Sequence, residues 1–333
     1  MRFLSLISYA FCLLFLAGCS SGTSPAPPPP ESIQSGGAGT DDTNGDILSI
    51  DEEPSPSSGS TPHRDNTPHC LVPEADGSAE IHNEFAAIDY SHSQDGYIMA
   101  RYTGSCQKVK MQITGTDNVT YTYDLQGDGF EVFPLSAGDG GYQVSILENL
   151  ADTDYLVCLT ANIQVSLTDE FGPCLYPNQY CWFDASAKAV EKAAELAKEA
   201  DSDLEVVENI YNFIISSITY DFDKAQSVPS GYIPNVDDTL LSGTGICLDY
   251  AAAMTAMLRS QRIPTRLEVG YVGEAYHAWI STYITDVGWV NGIVEFDGKS
   301  WKLMDPTYAA SNGEKELKKF IGDGSGYLVK YIY

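Results

Sequence analysis

Residues 243–264 read GTGICLDYAAAMTAMLRSQRIP, and this stretch determines how the whole chain is interpreted. Apolar residues recur along it at three- and four-residue spacing, which predicts a helix. The apolar face of that helix carries Leu248, Ala251, Met254 and Leu258. Pro264 lies just beyond the pattern, as is common after a helix. Gly243 and Gly245 permit a sharp turn before the apolar pattern begins. The sequence therefore predicts that Cys247 lies at the start of the helix.

The thiol of Cys247 is the first candidate for chemistry. A single cysteine is most often a small buried apolar residue, and that alternative stays open here. A helix N-terminus, however, presents free N–H groups and a partial positive charge, which stabilise a thiolate and lower the pKa of a thiol. The position of Cys247 therefore makes it a candidate nucleophile.

A cysteine nucleophile needs a base and a group that orients the base. After residue 185 the chain has one histidine, His277, in the strand-like stretch YHAWISTYI. Asp305 ends a later strand-like stretch, SWKLMD, where a carboxylate can fix the imidazole tautomer. Singly, His277 could be a core histidine and Asp305 a turn residue before proline. Their order after Cys247, at intervals of about thirty residues, is a stronger signal than either alone.

Three stretches, GTGICLDYAAAM, YHAWI and WKLMDPTY, resemble the core motifs of the transglutaminase-like superfamily. The resemblance covers about residues 185–333. It implies a papain-like α+β fold in which Cys247 is the nucleophile, His277 the base and Asp305 the orienting group. The upstream ITYDFD is similar to a segment of bacterial members, which implies that Tyr220 lines the site or stabilises an oxyanion. A core tyrosine is the alternative for Tyr220.

The resemblance also implies a reaction class. Cys247 would form a thioester with a protein or wall-peptide substrate, and an amine or water would resolve it. The expected enzyme is therefore a surface-anchored acyltransferase if an amine resolves the thioester, or a cysteine peptidase or amidase if water does. The alternative is a noncatalytic surface binding or scaffold module that uses the same fold. No cofactor and no metal are expected, since the sequence shows no calcium-ligand cluster in this region.

Upstream of this region the pattern changes from helical to alternating. Short runs of period-two alternation, broken by Gly, Asp and Asn, predict a small antiparallel β-sandwich over residues 76–170. We interpret it as an accessory or spacer domain, with a ligand- or wall-binding module as the alternative. A linker rich in Pro, Gly and aromatic residues follows at 171–184. Helical patterns then precede strand patterns over 185–333, which indicates an α+β domain.

The first nineteen residues, MRFLSLISYAFCLLFLAGC, have the features of an export signal. Their end resembles a bacterial lipobox, which implies that Cys19 is lipid-modified and anchors an exported protein to the cell membrane, facing outside. Residues 20–75 are rich in Pro, Ser, Gly and Asp, which predicts a disordered stalk. The formal net charge of −28 argues against nucleic acid as a partner. The expected partners are protein or cell-wall peptide substrates, and the lipid bilayer through the anchor.

The chain has 8 cysteines, of which Cys12 and Cys19 belong to the signal. Outside the cytoplasm oxidation is permitted, so disulfides are possible among the other six. The sequence favours two pairings, Cys106–Cys158 within the predicted sandwich and Cys174–Cys181 around a short loop. Cys70 would then remain unpaired in the stalk, and Cys247 would be free.

Overall fold

The structure is a computed structural model that describes residues 64–127, 129–285, 288–291, 293–296, 301–304 and 327–333. For residues 291, 293–296 and 301–304 only the backbone is described. The predicted signal, the Cys19 anchor and most of the predicted stalk lie outside these ranges, and so does Asp305. In the described part of the chain, no helix combines the length and the apolar character that a membrane span requires.

The residues predicted as a sandwich form two four-stranded antiparallel sheets. The first has the order β1-β2-β3-β6, with β1 at Glu80–His82, β2 at Ala86–Asp89, β3 at Tyr97–Tyr102 and β6 at Glu131–Pro134. The second has the order β5-β4-β7-β8, with β4 at Val109–Thr114, β5 at Thr120–Leu125, β7 at Gly140–Ala151 and β8 at Asp154–Val165. Alternate residues of β4 are buried, as period-two alternation predicts. How the two sheets are arranged as a sandwich stays a prediction.

Five helices follow in the second half of the chain. They are α1 at Lys188–Ala197, α2 at Asp203–Ser217, α3 at Phe222–Ser227, α4 at Val236–Ser242 and α5 at Cys247–Ser260. The helical patterns identified in the sequence correspond to α1, α2 and α5. The short helices α3 and α4 were not predicted, because six and seven residues are too few to show a period.

The remaining strands form two two-stranded pairs and one four-stranded sheet. The pair β9 at Thr219–Tyr220 and β10 at Thr244–Gly245 is parallel. A four-stranded antiparallel sheet has the order β13-β12-β11-β16, with β11 at Thr265–Val272, β12 at Ala275–Ile284, β13 at Gly288–Asn291 and β16 at Tyr327–Ile332. A further antiparallel pair joins β14 at Ile293–Phe296 to β15 at Trp301–Met304. The fold is therefore mixed α/β with several antiparallel sheets.

Helix α5 is the centre of this half of the molecule. It packs against α1, α2 and α4 and against strands β11 and β12. Every residue from Asp249 to Ser260 is buried, although the sequence pattern predicted one apolar face only. The small residues at positions 251–253 and 256 explain the difference, since alanines let neighbouring elements approach the helix from all sides.

The two halves of the chain share a core. The described residues all belong to one compact unit. Rings of Tyr121 and Tyr123 on β5 meet the ring of Tyr333 at centroid distances of 5.8 Å. The segment 171–184, predicted as a linker, contributes buried residues such as Cys181 and Phe183 to the same core. The predicted linker is therefore an internal part of the fold.

The end of the predicted stalk also contacts the folded unit. Arg64 Nε donates to Asp203 Oδ1 at 2.7 Å, and Arg64 Nη2 donates to the carbonyl of Gln261 at 2.5 Å. The backbone N–H of His69 donates to the carbonyl of Ser260 at 2.8 Å. Residues 64–69 thus contact the C-terminal end of α5, and Glu74 bonds to Tyr97 on β3, whereas the sequence placed these residues in a disordered stalk.

Neither predicted disulfide is formed in the structure, where the cysteines of the described residues are free thiols. Cys106 Sγ lies 3.3 Å from the carbonyl oxygen of Lys108, while Cys158 Sγ accepts from Asn83 Nδ2 at 3.6 Å. Burial raises the pKa of the Cys174 and Cys181 thiols, which favours their protonated form. The two members of each predicted pair nevertheless lie close enough to interact electrostatically.

Candidate active site at the start of helix α5

A short turn delivers the chain to the first residue of α5. Gly243 ends α4 in the left-handed region, with φ of 64°, which a residue with a side chain rarely adopts. The parallel pair β9–β10 then fixes the next residues, since Asp221 N–H donates to the carbonyl of Gly245 at 2.9 Å. A Cβ at Gly245 would lie 2.8 Å from Asp249 Cβ, so the turn can approach the helix only as glycine. Cys247 follows as the first helical residue, as predicted.

The amides at this helix start lack a capping side chain. The residue before the helix, Ile246, offers no side-chain acceptor. The carboxylate of Asp249 reaches back instead and accepts the Ile246 N–H at 2.8 Å. A helix start without a capping side chain can stabilise negative charge beside Cys247 through the helix dipole and through its free amides.

Cys247 and His277 line one cavity of about 390 Å³. Both residues are half-buried, so each is open to the cavity while being held by the fold. Cys247 comes from the start of α5 and His277 from β12, where it pairs with Gly270 of β11. Tyr220, the third candidate residue from the sequence, lines the same cavity from β9. The structure thus brings together three of the four predicted site residues.

The strand that carries His277 is fixed by a buried polar contact. Trp279, two residues along β12, stacks its ring near His277 at a centroid distance of 6.4 Å. Its indole Nε1 donates to Glu268 Oε2 at 2.7 Å. Glu268 is 4% exposed, and burial raises the pKa of its carboxyl despite the hydrogen bonds from Ser281 and Trp279. This contact fixes the position of β12 relative to β11 beneath the imidazole.

Asp305 lies outside the described residues, so its proposed role stays a prediction. The strand that precedes it does exist, because β15 extends to Met304 and pairs with β14. Strand β14 in turn contacts β12, which carries His277.

A hydrogen-bonded triangle lies next to the helix start, and sequence reasoning missed it. Lys224 Nζ donates to Asp249 Oδ2 at 2.7 Å and to the Tyr232 hydroxyl at 2.7 Å. The Tyr232 hydroxyl donates to Asp249 Oδ1 at 2.6 Å. Asp249 is fully buried. An aspartate at the third position of a helix is a capping signal that could have identified this residue, whereas nothing in the spacing points to Lys224 or Tyr232.

Tyrosine rings form much of the cavity wall. Besides Tyr220, the cavity is lined by Tyr180, Tyr232, Tyr276 and Tyr333. Tyr333 packs on Tyr180 at a centroid distance of 4.3 Å, and β5 of the first half of the chain supports both through its own tyrosines. Sequence reasoning missed this wall because its members come from distant parts of the chain.

In the part of the chain that the structure describes, no group of three or more His, Cys, Asp or Glu side chains could hold a metal ion. The cavity brings together a thiol at a helix start and an imidazole, with backbone amides beside the thiol. Such a set can carry out nucleophilic attack on a carbonyl carbon with stabilisation of the resulting oxyanion.

Part of this chain is similar to known proteins. Residues 190–292 match the model of the Transglutaminase-like superfamily. The match contains Cys247 and His277 and ends before Asp305. A UPF0252 protein of Methanocaldococcus jannaschii is 29% identical over 124 residues, which are 34% of this chain and 34% of that protein. The aligned part is thus about a third of the length of that relative.

Two solved structures resemble the chain more loosely. A protein from Cytophaga hutchinsonii, provisionally described as a cysteine protease, has a TM-score of 0.37 at 17% identity, covering 76% of this chain and 73% of that one. The periplasmic domain of TgpA from Pseudomonas aeruginosa has a TM-score of 0.32 at 17% identity, covering 79% and 90%. These TM-scores are too low to carry an argument about the site. The family match, with the helix and sheets described above, identifies residues 190–292 as a transglutaminase-like domain of mixed α/β fold.

Proposed function

We propose that the protein is a cysteine acyltransferase or peptidase that forms a thioester at Cys247. One observation carries the proposal: the thiol at the first residue of α5 and the imidazole of His277 line the same cavity. The superfamily matched by residues 190–292 supports it, because its members are typically cysteine-dependent enzymes.

The chemistry follows from the position of each group. The Cys247 thiol loses its proton to His277, and the thiolate attacks a carboxamide or peptide carbonyl carbon. The negative charge moves to the carbonyl oxygen, where the backbone N–H at the start of α5 stabilises it. As the C–N bond breaks, the imidazolium of His277 protonates the leaving amine and the thioester remains. An amine nucleophile then yields a crosslink, while water yields a carboxylic acid.

Two further residues complete the proposal. Asp305 orients the His277 imidazole and stabilises its protonated form, as a carboxylate does in other nucleophile–base pairs. Tyr220 lines the cavity from β9, where its position next to the helix start suits a role in binding the carbonyl group. Both roles derive from the sequence motifs.

The decisive experiment incubates the full chain with wall peptides and surface proteins, with and without a primary amine, and analyses the products by mass spectrometry. Amine incorporation indicates transglutamination, and cleavage indicates hydrolysis. We expect Cys247→Ala and His277→Ala to abolish either product. Cys106→Ala and His82→Ala are the matched controls, because both residues lie in the β-sheet half, away from the cavity.

If Cys247→Ala and His277→Ala retain the wild-type products, the proposed site is wrong. If the wild-type protein forms no product and its Cys247 is no more reactive than an exposed thiol, the fold serves as a noncatalytic binding module.

We also propose that the protein works outside the cell, held by a lipid at Cys19. The sequence before residue 20 and the Pro- and Ser-rich stretch after it support this location. The substrates would then be surface proteins or wall peptides, with no role for nucleic acid. In fractionated cells, we expect the wild-type chain in the membrane fraction and Cys19→Ala outside it. An unchanged distribution would contradict the anchor.

A further inference from the structure

The triangle of Lys224, Tyr232 and Asp249 raises an electrostatic question. A carboxylate buried in the first turn of α5 lies two residues from Cys247, where its negative charge would oppose a thiolate. It would also cancel part of the positive end of the helix dipole. A helix start that activates a thiol should therefore avoid such a group unless another charge compensates it.

Lys224 provides that compensation. Its ammonium nitrogen lies 2.7 Å from Asp249 Oδ2, in a closed set of three hydrogen bonds with the Tyr232 hydroxyl. Desolvation lowers the pKa of Lys224, but hydrogen bonds to Asp249 and Tyr232 outweigh this and the pKa is raised. The raised pKa keeps the lysine a cation near neutral pH, where its charge balances that of the Asp249 carboxylate.

The titratable tyrosines around the cavity do not compensate the negative charge of Asp249 in place of Lys224. Apart from His277, the titratable side chains that line it with Cys247 are Tyr180, Tyr220, Tyr232, Tyr276 and Tyr333. Burial raises the pKa of Tyr180, Tyr232 and Tyr333, which keeps these rings neutral near pH 7. These rings therefore bring no charge to Cys247 near neutral pH, and the charged pair beside the cavity lining is Lys224 with Asp249.

We propose that Lys224 is a positioning residue of the active site: with Tyr232 it holds and neutralises the buried Asp249 carboxylate, so that the start of α5 stabilises the Cys247 thiolate. The inference rests on the proposed function, because it concerns the same thiol. It adds a specific requirement, which is that the charge balance at positions 224 and 249 sets the acidity of Cys247. Tyr232 also links this pair to the 228–232 loop, which forms one wall of the cavity.

The test measures the acidity of Cys247 directly. The full chain is alkylated with iodoacetamide across a pH series, and the Cys247 peptide is quantified by mass spectrometry, which excludes the other cysteines. In the wild-type protein we expect a thiol pKa below that of free cysteine. Lys224→Met leaves an uncompensated carboxylate, still held by the Tyr232 hydroxyl and the Ile246 N–H, and we expect the thiol pKa to rise by about one unit or more.

The double variant separates charge from loss of packing. Asp249→Asn alone should not raise the thiol pKa, because it removes the negative charge. The double variant Lys224→Met with Asp249→Asn should return the pKa to within about half a unit of wild type, because both charges are gone. Lys224→Arg should keep the wild-type value. The control is Lys188→Met, which removes a lysine from an exposed pair with Glu191 and should change nothing.

The outcomes distinguish this inference from the proposed function. A low wild-type pKa that Lys224→Met leaves unchanged overturns the inference and leaves the function standing. A rise in Lys224→Met that the double variant keeps shows a structural effect only, and it also overturns the inference. An ordinary wild-type pKa with the predicted shifts between variants supports the inference and weakens the proposed function. If Lys224→Met does not fold, the double variant and Asp249→Asn still measure the same dependence.

Discussion

Helices α2 and α5 differ in how their first amides are bonded. The difference concerns helix stability at α2 and the proposed reactivity of Cys247 at α5. At the start of α2, Ser202 accepts the N–H of Glu205 at 3.2 Å, and Glu205 Oε2 accepts the N–H of Asp201 at 2.9 Å. At the start of α5, the residue before the helix has no acceptor, and a buried aspartate bonds backwards. The first arrangement uses the free amides for capping. The second leaves amides beside Cys247 available for chemistry.

The largest effect expected from this comparison concerns thiol reactivity. Cys247 should react with iodoacetamide at least about 100-fold faster than Cys174 and Cys181 in the native protein. Cys247 is half-buried and lines the cavity, whereas the other two thiols are buried and burial raises their pKa. Mass spectrometry of timed, quenched samples gives all three rates from one experiment. Equal rates would contradict the proposal that the start of α5 activates Cys247.

The next effect concerns the opposite end of α5. Arg259 is 1% exposed and donates to the carbonyls of Thr265, Tyr176 and Tyr333. Arg259→Met removes a buried donor from each of these carbonyls, of which the Tyr333 carbonyl keeps the Leu267 N–H. We therefore expect a loss of about 3 kcal/mol or more in the free energy of unfolding, measured by urea denaturation. Arg262→Met is the control, because Arg262 is more exposed and should contribute less than about 1 kcal/mol. Similar losses of unfolding free energy in both variants would show that the buried hydrogen bonds of Arg259 contribute no more than those of Arg262.

A smaller effect is expected from Gly245→Ala, which tests the turn before α5. The added Cβ would lie 2.8 Å from Asp249 Cβ, so the capping aspartate must move. We expect a loss of about 1–3 kcal/mol in unfolding free energy, together with slower alkylation of Cys247. Loss of stability with an unchanged alkylation rate would show that the thiol does not depend on this turn.

The smallest effect belongs to the start of α2. Ser202→Ala removes the capping hydroxyl and should lower the free energy of unfolding by about 1 kcal/mol. Thermal denaturation measures the change, with Ser202→Asn as the variant that retains a capping acceptor. The alkylation rate of Cys247 should remain at the wild-type value. A slower Cys247 reaction in Ser202→Ala would show that the two helix starts are coupled.

The sequence predicted most of what is local in this molecule. The start and extent of α5 follow from a glycine turn and an apolar period, and His277 lies on the strand that its alternation predicted. Contacts between distant segments could not be predicted in this way. Lys224 meets Asp249 only because the short helix α3 and the 228–232 loop fold back on α5. The Pro- and Ser-rich composition likewise gave no sign that Arg64 bonds to Asp203.

The two cysteine pairings stay predictions. The thiols are free in the structure, yet Cys106 lies close enough to Cys158, and Cys174 to Cys181, for each pair to interact electrostatically. Cys181 Sγ also accepts from Arg259 Nη1 at 3.3 Å. The burial that surrounds Cys174 and Cys181 was not visible in a segment that looked like a linker.

The tyrosine rings shared by the two halves of the chain have a practical consequence for handling the protein. Residues 171–333 expressed alone would lose the β5 strand that covers Tyr180 and Tyr333, and an aromatic surface would meet water. Such patches promote self-association, so the shortened protein should aggregate even though it retains the whole family match. Biochemical work on the Cys247 thiol therefore requires a protein that includes the β-sheet half, which keeps these aromatic rings covered.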